Sequence, residues 1–145
     1  MPRVLYSFLT FAILLLRIGP AAAEVPLRSV EQLREGATHI VVGELRTVYR
    51  SVKRGAGHED TSGLAEIVVE KVEQGSGIEP GQALFVRFWT RRWIGTGSPP
   101  PGSNGHHLQR EGAVVRAYVE RAKDGSFEVL LPNGLTLKSN SADNP

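Results

Sequence analysis

The chain has 145 residues, with 17 Lys and Arg against 15 Asp and Glu, a formal net charge of +2 and no cysteine. This length holds one domain of ordinary size, and the lack of cysteine excludes disulfide bonds, thiolate metal sites and a cysteine nucleophile. A hydrophobic fraction of 41% beside 22% charged residues is typical of a globular chain and excludes a disordered one.

Residues 1–23 have the order of a secretory signal peptide. A basic start with Arg3 is followed by an apolar run, residues 4–16, which Arg17 ends, and residues 21–23 are all alanine. A membrane anchor would need about 20 apolar residues, more than this run contains. We therefore expect the general secretory route, cleavage before Glu24, no stable membrane span, and a periplasmic or extracellular protein. Lipid attachment needs a cysteine, so a lipoprotein is not expected.

Cleavage changes the charge of the protein. Loss of Arg3 and Arg17 leaves 15 cations against 15 anions, so the basic sequence pI of about 9.2 belongs largely to the signal peptide. Binding to nucleic acid depends on many contacts between cations and phosphates. A nucleic acid is therefore not an expected partner of the mature chain.

The mature chain is predicted to contain one barrel-like domain, residues 24–138, that begins with a short helix. Ser29 and Gln32 fit a capping box, in which each side chain binds the backbone N–H of the other residue. Val30 and Leu33 then share the packed face, and Gly36 would end the helix in the left-handed conformation.

Period-two patterns predict five or six strands after the helix. In the first, residues 40–50, Gly43 marks a bulge or bend, and Leu45, Thr47 and Tyr49 form one face of a half-buried strand. The further strands are predicted over residues 64–72, 84–90, 113–121, 127–131 and 135–137. Polar loops are predicted over residues 51–63 and 95–107, hairpin turns at residues 124–125 and 132–134, and a flexible tail over residues 139–145.

This strand count and the bent first strand predict a mainly β fold, a small closed barrel. A Greek-key barrel of the OB type, with one short N-terminal helix, has this number and length of strands. A β-sandwich is the alternative, although an immunoglobulin-like sandwich would need about seven strands.

Arginines alternate with aromatic side chains in the third predicted strand and just beyond it. Leu84, Val86 and Phe88 should share one face of this strand, while the aromatic and arginine side chains share the other. Such a surface can stack on sugars or bases and bind anions bidentately. The candidate ligand-binding residues are Phe85, Arg87, Trp89, Arg91, Arg92 and Trp93.

A structural role for the same strand is the alternative. Phe85 and Trp89 would then cover a second apolar layer, and the stems of Arg87 and Arg91 would pack on their rings while the charges stay in water. Large aromatic side chains contribute much of the stability of small barrels.

The histidines offer a weak case for a metal site, and no catalytic motif is present. His58, His106 and His107 are predicted to be exposed loop residues, and adjacent histidines in an extended segment point to opposite faces. No nucleophile elbow, P-loop or dinucleotide fingerprint occurs. We therefore predict no catalytic residue, no metal ligand and no cofactor, and we keep a metal-handling or hydrolytic protein using these histidines as an alternative.

The chain resembles a group of bacterial exported proteins of unknown function. The resemblance rests on residues 37–45 (ATHIVVGEL), residues 69–75 (VEKVEQG), Pro80-Gly81, and Glu111-Gly112 before residues 114–119, and it extends from Ser29 to Leu137. It implies a barrel similar to OB and netrin-like domains. Tissue-inhibitor-type domains of that layout bind a protease metal through an N-terminal cysteine, which this chain lacks.

Together these observations predict an exported, non-catalytic binding module, with an anionic polysaccharide or an envelope protein as the candidate partner. A purely structural envelope protein is the third possibility.

Overall fold

The structure, a computed structural model, describes residues 25–102 and 104–138. The predicted signal peptide and the predicted flexible tail lie outside these residues. The chain is mainly β: one helix precedes six strands, in the order α1 (Val30–Gly36), β1 (His39–Arg54), β2 (His58–Gln74), β3 (Ala83–Trp93), β4 (Val114–Arg121), β5 (Phe127–Val129) and β6 (Leu135–Leu137).

Five of the strands close into a barrel. Their order is β1-β2-β3-β5-β4, and β4 pairs back onto β1, while β6 adds to β4 as an extra strand. All pairings are antiparallel except that of β3 with β5, where Val86 lies beside Phe127 and Arg87 beside Glu128. The predicted small closed barrel of five to six strands with one short helix is confirmed.

Two apolar clusters hold the fold together. The larger fills the barrel with inward-facing residues such as Val41, Ile67 and Val115, each fully buried. The smaller lies on the outside of the barrel, where α1 covers strands β1 and β4. Its members are Leu33, Ala37, Ile40, Tyr118 and Leu130. A helix of two turns is stabilised by this packing, because its own hydrogen bonds are too few.

The start of α1 is as predicted, but its end is not. The Ser29 hydroxyl accepts a hydrogen bond from the N–H of Gln32, and the Gln32 side chain accepts one from the N–H of Ser29. Gly36 remains helical. Ala37 caps the helix in an extended conformation, and its backbone N–H donates a hydrogen bond to the carbonyl of Leu33. The prediction that Gly36 adopts the left-handed conformation is therefore wrong. Of the two residues predicted to share the packed face, Leu33 is buried but Val30 is half exposed.

The predicted polar loop over residues 51–63 is wrong. Strands β1 and β2 continue through it as one long antiparallel hairpin, which turns only at residues 55–57. These residues have no hydrophobic alternation because the hairpin extends past the barrel, so that water reaches both of its faces. Cross-strand ion pairs join it to β3 in place of a core.

A register shift also reverses the predicted faces of β1. The pairing with β2 slips between Leu45 and Thr47, and as a result Val48 is buried while Tyr49 is half exposed. A shift of one residue in a strand exchanges its two faces. A second shift, between Val42 and Gly43, matches the bulge predicted at Gly43.

The predicted hairpin at residues 132–134 does not pair its flanking strands. Both β5 and β6 pair with β4 instead, at successive positions along it. Asn133 of this turn binds the backbone of Arg28, accepting from its N–H and donating to its carbonyl, each at 3.0 Å. The turn therefore ties the segment before α1 to the barrel.

Among the residues that the structure describes, no helix is long and apolar enough to cross a membrane.

Candidate functional site

The predicted alternation of β3 is confirmed. Leu84, Val86 and Phe88 point into the barrel and are buried. The opposite side of β3 faces outward and carries five of the six candidate residues, which we call the β3 face: Phe85, Arg87, Trp89, Arg91 and Trp93. Arg92 belongs by alternation to the other side of the strand and is not part of this face.

Arg91 is bound to a carboxylate across the sheet. Its Nε and Nη2 atoms donate to the two oxygens of Asp60 on β2, at 2.6 and 3.0 Å. This bidentate pair holds the pKa of Asp60 below its ordinary value and raises that of Arg91. On the other side of the strand, Arg92 donates to Glu59 at 2.8 Å.

Arg87 connects the β3 face to the turn between β4 and β5. Its Nη1 donates to Asp124 at 3.0 Å and lies 3.9 Å from Glu128. Hydrogen bonds from Ser126 and then from Arg87 lower the pKa of Asp124 to about 2. Each of the three candidate arginines therefore has a carboxylate partner, and the segment 85–93 is not a positively charged surface.

Two aromatic side chains lie together at one end of the β3 face. The rings of Phe85 and Tyr49 are 6.4 Å apart and tilted, and the side chains are 46% and 50% exposed. The Tyr49 hydroxyl donates to Glu66 at 3.0 Å, and this carboxylate raises the pKa of Tyr49. Glu66 is nearly buried and fixes the orientation of the tyrosine ring.

Trp89 lies in the middle of the β3 face and is half-buried. The segment 104–106 pairs with β3 here, and the backbone N–H of His106 donates to the carbonyl of Trp89 at 2.8 Å. A side chain at Gly105 would collide with the Trp89 ring and carbonyl, so the glycine permits this close approach. The loop thus covers part of the ring and leaves part of it accessible.

Trp93 stabilises the tip of the long hairpin. Its ring lies against His58, with centroids 4.9 Å apart, and covers Gly57 and Gly95. Its Nε1 donates to the carbonyl of Gly97 at 3.1 Å. Trp93 and the prolines at residues 99–101 border an open groove of about 510 Å³.

A cleft of about 430 Å³ adjoins the β3 face, between strands β3 and β5, Arg28 before α1 and Gly36 at the end of α1. Trp89, Val129 and Leu130 supply its apolar surface. Its polar lining residues are Arg28, Arg87, His106, Glu120 and Glu128.

The three histidines of the metal alternative have different surroundings. His106 is buried, contrary to its prediction as an exposed loop residue, and the adjacent His107 is exposed. The His106 Nε2 donates to the carbonyl of Val129 at 2.7 Å, and its Nδ1 accepts from the N–H of Trp89 at 3.0 Å. These bonds use both ring nitrogens, so the structure assigns His106 to holding the loop on β3. Within residues 25–102 and 104–138, no three His, Asp or Glu side chains are grouped to hold a metal ion.

The sequence identified β3 but missed the residues around it. Tyr49, Asp60, Glu66, Asp124 and Arg28 come from other elements and meet β3 or the cleft only through strand register and the turn after β4. Residues 51–63 have no hydrophobic alternation, so nothing in the sequence indicates that Asp60 lies on a strand beside β3.

Comparison of the chain with protein-family models, with curated proteins and with solved structures finds no match.

Proposed function

We propose that this protein is an exported, non-catalytic binding module whose β3 face binds a polysaccharide. The observation that carries the proposal is the row of aromatic side chains on the outward side of β3. The barrel core is filled by the opposite side of the strand, so Phe85 and Tyr49 remain about half exposed without a packing role inside the barrel.

The chemistry of the β3 face suits a ligand rich in hydroxyl groups. Aromatic rings offer flat apolar surfaces for the C–H face of a sugar ring. Between them, the Arg91–Asp60 pair presents charged donors and acceptors side by side, which can bind hydroxyl groups that act as both.

The charge of the face favours a neutral polysaccharide over the anionic one that the sequence suggests. Arg87 and Arg91 are each paired with a carboxylate, at 3.0 and 2.6 Å. To bind these arginines, a polyanion would have to take the places of Asp124 and Asp60 or lie close to both carboxylates. In the second case, the like charges would repel. The neutral ligand does not require these pairs to break.

The position of the face within the barrel supports the proposal. In OB barrels, oligosaccharides and oligonucleotides bind to strands two and three and to the loops after strands one and four. The strand order here, with β5 between β3 and β4, agrees with an OB-like barrel. On this proposal the β3 face and the turn that carries Asp124 occupy the corresponding positions.

The proposed location outside the cytoplasm rests on the N-terminal sequence. Residues 1–23 have the composition of a cleaved signal peptide, and the later motifs resemble those of exported bacterial proteins. A polysaccharide of the envelope or the surroundings would be accessible to such a protein.

Affinity electrophoresis of the mature chain tests the proposal. We expect retarded migration in gels that contain a neutral polysaccharide such as hydroxyethyl cellulose, and the Phe85→Ala variant should bind about two- to tenfold more weakly, because it loses one stacking surface. Leu137→Ala is the matched control, since this apolar side chain is 58% exposed but lies on β6.

Gels containing alginate, a polyanion, separate the alternatives. If alginate alone retards the wild-type chain, and the Arg87→Ala/Arg91→Ala variant is not retarded, the ligand of the β3 face is anionic and not neutral. Equal migration of wild type, Phe85→Ala and Leu137→Ala in every gel would refute a polysaccharide function of the β3 face.

A further inference from the structure

We propose a second binding surface: the open edge of β1, residues 49–54, binds an extended acidic segment of a partner protein as an added antiparallel strand. This β1 edge meets the β3 face only at Tyr49, whose ring lies beside Phe85, and the proposal does not depend on polysaccharide binding.

The β1 edge has no strand beside it among the described residues. Pairing of β1 with β4 stops at Glu44, which lies opposite Val114. Three further hydrogen bonds follow: the N–H of Leu45 donates to the carbonyl of Ala113, the N–H of Gly112 donates to the carbonyl of Leu45, and the N–H of Val48 donates to the Glu111 carboxylate at 2.8 Å. Beyond Val48, within residues 25–102 and 104–138, β1 bonds to β2 alone.

The backbone of the edge has the regular form that an added strand requires. Its pairing with β2 runs without a shift from Tyr49, opposite Leu64, to Arg54, opposite Glu59. The edge contains no proline and no bulge, which are common ways of blocking an open edge. Every residue in it is exposed, including Val52 at 52%.

Charge determines which strand can bind. Arg50 and Lys53 have no carboxylate partner within the described residues, whereas Arg54 is paired with Glu59 at 2.8 Å. In an antiparallel dimer centred on Val52, Arg50 of one copy would lie opposite Arg54 of the other, and like charges directly opposite destabilise the pair. The cations thus disfavour a second copy and favour an acidic strand.

The positions of the two cations define the partner further. Arg50 and Lys53 lie three residues apart and therefore on opposite faces of the strand. An antiparallel partner that places a carboxylate opposite each of them needs two acidic residues with the same spacing. We infer that the partner segment has acidic residues at positions i and i+3, with β-branched residues between them.

The probe is an end-blocked peptide, Thr-Val-Glu-Thr-Val-Glu-Val-Thr, and the control peptide has glutamine at both acidic positions. We expect saturable binding to the mature chain, measured by fluorescence polarisation, and slower hydrogen exchange of amides in residues 49–54. The glutamine peptide should bind about tenfold more weakly, because two charge-assisted contacts are lost.

Matched variants assign the binding to the edge. The Arg50→Glu/Lys53→Glu variant should no longer bind the acidic peptide. It should instead bind a peptide with lysine at the two acidic positions. Lys71→Glu/Lys123→Glu changes the net charge equally at other exposed positions and should bind as wild type does. Arg87→Ala changes a residue of the β3 face that contacts Asp124 and Glu128 and not β1, so it should bind the peptide as wild type does.

Three results would overturn the proposal: equal binding of the acidic and glutamine peptides, slow exchange in the free monomer of those amides of residues 49–54 that do not bond to β2, or protection that rises with protein concentration in the absence of peptide. The second would mean that the edge is already covered, and the third that a second copy is its partner.

Discussion

A guanidinium group that is held by a carboxylate acts differently from a free one. In the Arg91–Asp60 pair both oxygens of the acid are engaged, and the charges cancel at short range. The pair adds little to stability because it is exposed to water. Its contribution is geometric, since it fixes donors and acceptors beside the aromatic rings of the β3 face.

Phe85 and Trp89 of this face differ in how firmly their rings are packed, and this difference predicts their energetic roles. Phe85→Ala should reduce the free energy of unfolding by less than about 1 kcal/mol, as expected for a half-exposed side chain. Trp89→Ala should cost about 2 kcal/mol, because the 104–106 segment packs on its ring, but less than the 3–5 kcal/mol of a core aromatic.

Urea denaturation of the three proteins measures both values. If Phe85→Ala lowers the free energy of unfolding by more than about 3 kcal/mol, this ring has a structural role. This result would favour the structural alternative for β3 over ligand binding. A cost below about 1 kcal/mol for Trp89→Ala would show that the loop does not pack on it.

At the scale of elements, the long hairpin and the turn after β4 border the β3 face. The hairpin is joined to β3 by the backbone pairing of β2 with β3, from His58 opposite Trp93 onward, and cross-strand ion pairs add to this pairing. The turn is bound to β3 by the hydrogen bond from Arg87 to Asp124. The contact of the turn with β3 therefore depends on charge, and hence on pH.

The turn gives a pH-dependent prediction. The pKa of Asp124 is about 2 in the folded protein, against an ordinary value of 3.8. Its ionised form is favoured in the fold, so the stabilisation is complete above pH 3.8 and is lost as the pH falls through about 2. Asp124→Asn should therefore have a lower Tm than wild type near neutral pH, and the difference should shrink towards pH 2.

Thermal unfolding between pH 2 and 7 measures this difference. Glu70→Gln, which removes an exposed carboxylate with no ion pair within the described residues, is the control for general charge effects. A Tm difference for Asp124→Asn that is the same at all pH values would contradict an ionic role of this carboxylate.

The elements also show what the sequence can predict. Strands that cross the barrel, such as residues 84–90, bury one face and therefore alternate visibly. Residues 51–63 were missed because water reaches both faces of the hairpin there. Tyr49 was placed on the wrong face because the shift after Leu45 leaves no mark in the sequence. The β3 residues of the site could be found, but the acids that pair with them could not, since pairing partners depend on register.

At the scale of the whole molecule, the chain is tied to the barrel a few residues after the predicted cleavage position. Asn133 on the barrel binds the backbone of Arg28. A mature chain starting at Glu24 would retain every contact that the described residues make with one another.

Expression of the full chain in a bacterium should yield an exported protein that lacks residues 1–23. Intact-mass spectrometry of the periplasmic or extracellular fraction measures this, with an Ala21→Arg/Ala23→Arg variant as a control that should not be cleaved at this site. Recovery of uncleaved chain from the membrane would contradict the predicted signal peptide, and recovery from the cytoplasm would contradict export.

The barrel closes through its weakest contact. Strands β3 and β5 share only two residue pairs, at Val86 and Arg87. More than thirty residues lie between the end of β3 and the start of β5. Closing so long a loop costs entropy that two pairs barely offset, so we expect this seam to form last in folding and to open first in unfolding. The cleft lies along the seam. The protein can therefore widen its cleft by transient opening of the seam while the β1–β2 hairpin stays intact.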